Sequence, residues 1–153
     1  MSIQRILSEV ETYEGVLDLA PGPGSAHPEI SWGDHFFYYA PDGQIPRTRQ
    51  PFATIVTKNY PGDTGSRLDD TDRWRLNIHS GADQFTEGAS VSDVGAVDVF
   101  LPHPVYPGWV CVVNPETRSL DTALELLRIA YLADRQRVER RARRSDSASD
   151  GSE

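Results

Sequence analysis

The stretch that most constrains the fold runs from His103 to Arg144. A proline-punctuated loop, His103-Pro-Val-Tyr-Pro-Gly108, leads into the almost wholly apolar run Trp109-Val-Cys-Val-Val113. A turn then opens a helix over Ser119 to Arg144, with Ser119 as its cap and Leu120, Ala123, Leu124, Leu127, Ala130 and Tyr131 on one face. A buried strand followed by an amphipathic helix requires the helix to pack back over a sheet. Beyond Tyr131 the apolar stripe gives way to charge, so the helix end is expected to project into solvent. The low-complexity run Ser145 to Glu153 reads as a disordered tail.

Upstream, Ser2 is placed to cap a first helix that carries Ile3, Ile6, Leu7 and Val10 on one face and stops at Gly15. Val16 to Leu19 has the length of an edge strand, and an edge left bare would allow sheet-to-sheet pairing into a homodimer. Pro21 to Pro28, with three prolines and two glycines, is a loop. His35 to Tyr39 is aromatic-rich and Phe52 to Thr57 β-branched, both strand chemistry. In Arg73 to Ile78, Trp74, Leu76 and Ile78 alternate with Arg73, Arg75 and Asn77, which predicts an antiparallel strand with one face on a core and one face wet. Ser80 could cap a short helix through Phe85, and Val97 to Leu101 and Trp109 to Val113 complete the strands. The reading is an α+β, two-layer α-β-α chain of about five strands. Its mostly antiparallel sheet is covered on one face by N- and C-terminal helices. Residues 1–144 make one domain, and 145–153 the tail.

The chain has 153 residues and a net charge of −8. Residues 1–134 hold 9 basic and 19 acidic side chains, a balance of −10, whereas 135–144 hold six arginines and one glutamate, +5. An acidic body disfavours nucleic acid everywhere except at Arg135 to Arg144. That run carries no interleaved aromatics, and arginines near a helix C-terminus also favour its dipole. Cys111 is the only cysteine, which suits a reducing cytoplasm. No signal-like segment opens the chain, and no apolar run nears the ~20 residues of a membrane span.

Four blocks carry a resemblance: Trp32 to Gly43, Pro51 to Gly62, Arg75 to Ile78, and His103 to Tyr106 followed by Gly108 to Val110. Over about residues 2 to 135 they resemble a family of small actinobacterial proteins of unknown function, which implies no activity. More distantly, Gly108 to Val113 followed by Leu126 to Tyr131 is similar to the end of YjbR/MmcQ-like proteins. That similarity implies a CyaY-like α-β-α fold and a suggested DNA-binding role.

No metal-ligand spacing appears, so neither metal nor cofactor is expected. Gly62 to Ser66 lacks the context of a serine nucleophile elbow, and Cys111 falls inside an apolar strand where thiols are inert. Trp74 and Trp109 are expected in the core and Trp32 part-exposed. The candidate site combines Arg75, Asn77 and His79 on one strand face with Lys58, His103 and Tyr106 from strand ends and loops. Such donors suit an anionic or carbonyl-bearing ligand. The leading reading is a non-enzymatic domain that binds a small molecule or protein on its open sheet face. The alternatives are a small hydrolase using His79 or His103 as base, and a nucleic-acid accessory protein acting through Arg135 to Arg144.

Overall fold

The computed structural model describes residues 3–70, 72–80 and 95–150, with side chains described to 144. Ser2 as a cap and the short helix through Phe85 fall outside the described residues. Helix α1 (Ile3–Glu11) is followed by β1 (Val16–Leu19), β2 (His35–Tyr39), β3 (Ala53–Val56), β4 (Arg75–His79), β5 (Phe100–Pro102), β6 (Trp109–Val113) and α2 (Leu120–Asp150). Expected to end near Arg144, α2 runs on to Asp150, and residues 151–153 lie outside the described set.

The strands form one antiparallel sheet in the order β1-β2-β3-β4-β6-β5, six strands against the five or so expected. Chain order breaks once. The apolar strand β6 takes the interior place beside β4, whereas β5, three residues long and ending in Pro102, sits at the edge. A proline has no N–H to give a further ladder, so an edge suits it. Val97, expected in this strand, makes an isolated bridge to Val113 instead.

Both helices pack on one face. Ile6 and Val10 of α1 and Ala123, Leu126, Leu127, Ala130 and Tyr131 of α2 meet Phe37, Ile55, Leu76, Ile78, Val110 and Val112. Gly15 separates α1 from β1 with φ +76°, and a Cβ there would lie 2.7 Å from the Tyr39 ring, so glycine is needed for conformation and for space. Past Tyr131 the packing is polar: buried Asp134 accepts the Tyr39 N–H at 3.0 Å and Arg49 Nη1 at 2.8 Å, tying α2 to the end of β2.

Ser119 does not cap α2 with its own side chain. Its hydroxyl instead donates to Asp98 at 2.5 Å, and the same carboxylate takes the N–H groups of Glu116, Arg118 and Ser119, in the turn that leads into the helix, at 2.7 to 2.9 Å. Burial pushes the Asp98 carboxyl up, and these four donors outweigh it, so the group stays below its ordinary value. A carboxylate from before β5 thus pins the turn ahead of α2 to the sheet edge.

Candidate functional site

Strand alternation sends Phe36 and Tyr38 of β2, Thr54 and Val56 of β3, and Arg75 and Asn77 of β4 to the face away from the helices. That face is not wet, contrary to expectation: Arg75 is 2% exposed and Asn77 4%. The turn Tyr60–Asp63 and the loop from His103 to Tyr106 rise over it and leave a concavity of about 420 Å³ between them. Its walls are Phe36, Tyr38, Tyr60, Tyr106 and Trp109, with Pro51, Pro61, Val56 and Val105, and its polar floor is Thr54, Asn77, Arg75, Asp63 and His103. A mostly apolar, aromatic cavity of this size with a few converging polar groups has the form of a small-molecule site.

Arg75 organises the floor. Its Nη1 donates to Asp63 Oδ1 and Ser66 Oγ, each at 3.0 Å, its Nη2 donates to Asp63 Oδ2, and its Nε donates to Asn77 Oδ1 at 2.9 Å. Burial pushes the Asp63 carboxyl up, and the hydrogen bonds and charge of Arg75, with His103, bring it below its ordinary value. The Arg75 cation is therefore answered by a bidentate carboxylate and is not free for an anionic ligand.

His103 completes the group. Its Nδ1 accepts the backbone N–H groups of Val105 and Tyr106 at 3.0 and 3.1 Å, and its Nε2 lies 3.3 Å from Arg75 Nη2 and 3.8 Å from Asp63 Oδ2. Burial first, then the Arg75 charge, lowers its pKa to about 4 against the opposing pull of Asp63. The neutral ring thus keeps its proton on Nε2, and neither nitrogen presents a free lone pair to a substrate.

Four of the six residues proposed from sequence (Arg75, Asn77, His103 and Tyr106) line this cavity. Lys58 does not. It donates to the Trp32 carbonyl at 2.6 Å and to Asp34 Oδ1 at 3.2 Å. Fully buried Asp34 also takes the Thr57 N–H, the Thr57 hydroxyl and the Tyr60 hydroxyl, and so anchors the turn that carries Tyr60. Burial and this carboxylate both raise the Tyr60 pKa. His79 also lies outside the lining, its ring stacked on Trp109 at 5.1 Å and its pKa lowered by burial and then by Arg137. Trp109, expected in the core, instead faces the cavity. Cys111 is buried on the same strand, and burial pushes its thiol up to about 11.

Sequence reasoning missed Phe36, Tyr38, Thr54, Val56, Tyr60 and Asp63. The first four were accessible through strand alternation once the register was known. Asp63 had no local signal, because its partner Arg75 lies twelve residues away across a turn. Among the described residues no group of three or more His, Cys, Asp or Glu side chains has the arrangement of a metal site, and no helix is long and apolar enough to cross a membrane.

A family model described as a family of unknown function, DUF6194, matches residues 1–143. The chain belongs to that family. No curated protein and no solved structure matches it. The DUF6194 match covers the six described strands, the cavity and α2 as far as Arg143.

Proposed function

We propose that this DUF6194 domain binds a small molecule in the concavity on the helix-free face of its sheet. The observation that carries the reading is the convergence of aromatic walls from β2, β6 and two loops over a buried, hydrogen-bonded polar floor. Ordered polar groups at the base of an apolar cavity orient a ligand, and the flat rings around them supply contact area. The hydrolase alternative finds no support at His103, whose Nδ1 already accepts two N–H groups and whose Nε2 carries the proton, or at His79, which is stacked outside the cavity. The nucleic-acid alternative rests on Arg135 to Arg144, where Arg137, Arg140, Arg141 and Arg144 share one stripe of α2 that offers phosphate attraction without base readout. The similarity to YjbR/MmcQ-like proteins bears on fold in this reading and supplies no activity. A lone buried thiol fits a cytoplasmic protein.

The test is a thermal-shift screen of metabolites against wild type, Tyr106→Ala and Val56→Phe. Tyr106 is 57% exposed, so its truncation removes a wall without disturbing the core, and Val56→Phe puts a ring into the cavity. Ligands of the cavity lose their stabilisation in both variants. A screen whose hits stabilise all three proteins equally overturns the assignment.

A further inference from the structure

We infer that the cavity floor is a paired hydrogen-bond donor, Thr54 Oγ1–H and the second amide N–H of Asn77, set to receive the carbonyl oxygen of an uncharged ligand. The inference rests on the binding reading above and names the chemistry that the site selects.

An arginine Nε–H can only donate. Because Arg75 Nε meets the Asn77 side chain at 2.9 Å, the atom facing it must be the carbonyl Oδ1, and this settles an amide orientation that is otherwise ambiguous. The Asn77 NH₂ is thereby turned to Thr54, where it donates to Oγ1 at 3.0 Å. With Oγ1 already accepting, the Thr54 hydroxyl has its own hydrogen to give. Among the described residues neither that hydrogen nor the second Asn77 N–H has an acceptor. Thr54 and Asn77 are directly paired across β3 and β4, so their side chains stand side by side. They are 9% and 4% exposed, and both line the cavity. Asp63 fixes Arg75, Arg75 fixes Asn77, and Asn77 fixes Thr54.

The charge balance decides the ligand class. The floor presents donor dipoles without net charge, because Asp63 answers Arg75 in bidentate fashion. A carboxylate would meet a guanidinium whose charge Asp63 already answers, and would enter beside the Asp63 carboxylate in a chain of net charge −8. An amide, lactam or ketone oxygen accepts from both donors at no such cost, while a ring attached to it lies against Tyr60, Tyr106 and Trp109.

Three probes of similar shape separate the outcomes: benzamide, benzoate and ethylbenzene, titrated at millimolar concentration into ¹⁵N-labelled protein with the Trp109 indole N–H as reporter. Benzamide is expected to bind about tenfold more tightly than benzoate. Thr54→Val, nearly isosteric, is expected to weaken benzamide about two- to tenfold and leave ethylbenzene unchanged, and Thr54→Ser to restore benzamide binding. Benzoate binding as tightly as benzamide, or an unchanged benzamide affinity in Thr54→Val, overturns the donor pair and leaves the cavity standing as a binding site. Silence from all three probes overturns the binding reading and the donor pair with it.

Discussion

His103 is held by two backbone N–H groups on Nδ1, and its Nε2 edge lies against the Arg75–Asp63 pair. Its folded pKa of about 4 lies below the 6.5 of an unperturbed histidine. Between those values the unfolded chain binds the proton that the folded one refuses. This contribution to stability is therefore complete above pH 6.5 and is lost as pH falls toward 4, with a slope of up to about 1.4 kcal/mol per pH unit. His79, lowered in the same direction, adds to the loss. His103→Asn keeps an acceptor for Val105 and Tyr106 but does not titrate. Wild type should lose melting temperature faster than this variant between pH 7 and 5, and parallel curves would show that His103 is not responsible. Arg75 is a structural residue as much as a lining one. Arg75→Ala strands the Asp63 carboxylate and should cost about 3–5 kcal/mol in urea unfolding. A loss below 1 kcal/mol would mean that the loop over the sheet is not held by this pair.

At the scale of elements, α2 decides whether the sheet has a core. Leu127 is fully buried between α2 and the strands, so Leu127→Ala should cost about 2–5 kcal/mol through lost transfer energy and a residual cavity. A change under half a kcal/mol would mean that α2 is not docked. The start of the same helix depends on Asp98. Asp98→Ala leaves three backbone N–H groups without their charged acceptor and should cost about 1.5–3 kcal/mol. Hydrogen exchange at Glu116, Arg118 and Ser119 should accelerate with it. Unchanged exchange there would mean that Asp98 does not hold this turn.

Over the whole molecule, one hydrophobic cluster runs from α1 through β2, β3, β4 and β6 to α2. Nothing in that continuity offers a seam, so the chain should unfold as a unit, with tryptophan fluorescence and far-UV dichroism changing together in urea. Helical signal lost ahead of fluorescence would show that α2 melts apart from the sheet. The sheet edges β1 and β5 are four and three residues long, which leaves little bare ladder for a second chain to extend.

The elements and the inward faces of β4 and α2 were legible in the residues alone. The period-two run in β4, the apolar run of β6, the apolar stripe of α2 and the stop at Gly15 are local patterns, and local sterics and burial suffice to set them. Only the tertiary structure decided that β6 lies between β4 and β5, that Trp109 faces outward, and that Arg75 and Asn77 are buried. Alternation tells which way a side chain points from a strand; it carries no information about what covers that side. Here the cover is made by loops whose positions depend on bonds between distant residues, Asp34 to Tyr60 and Asp63 to Arg75. Those bonds exist only after the sheet has assembled, and with them the cavity that the sequence pattern placed on an open face.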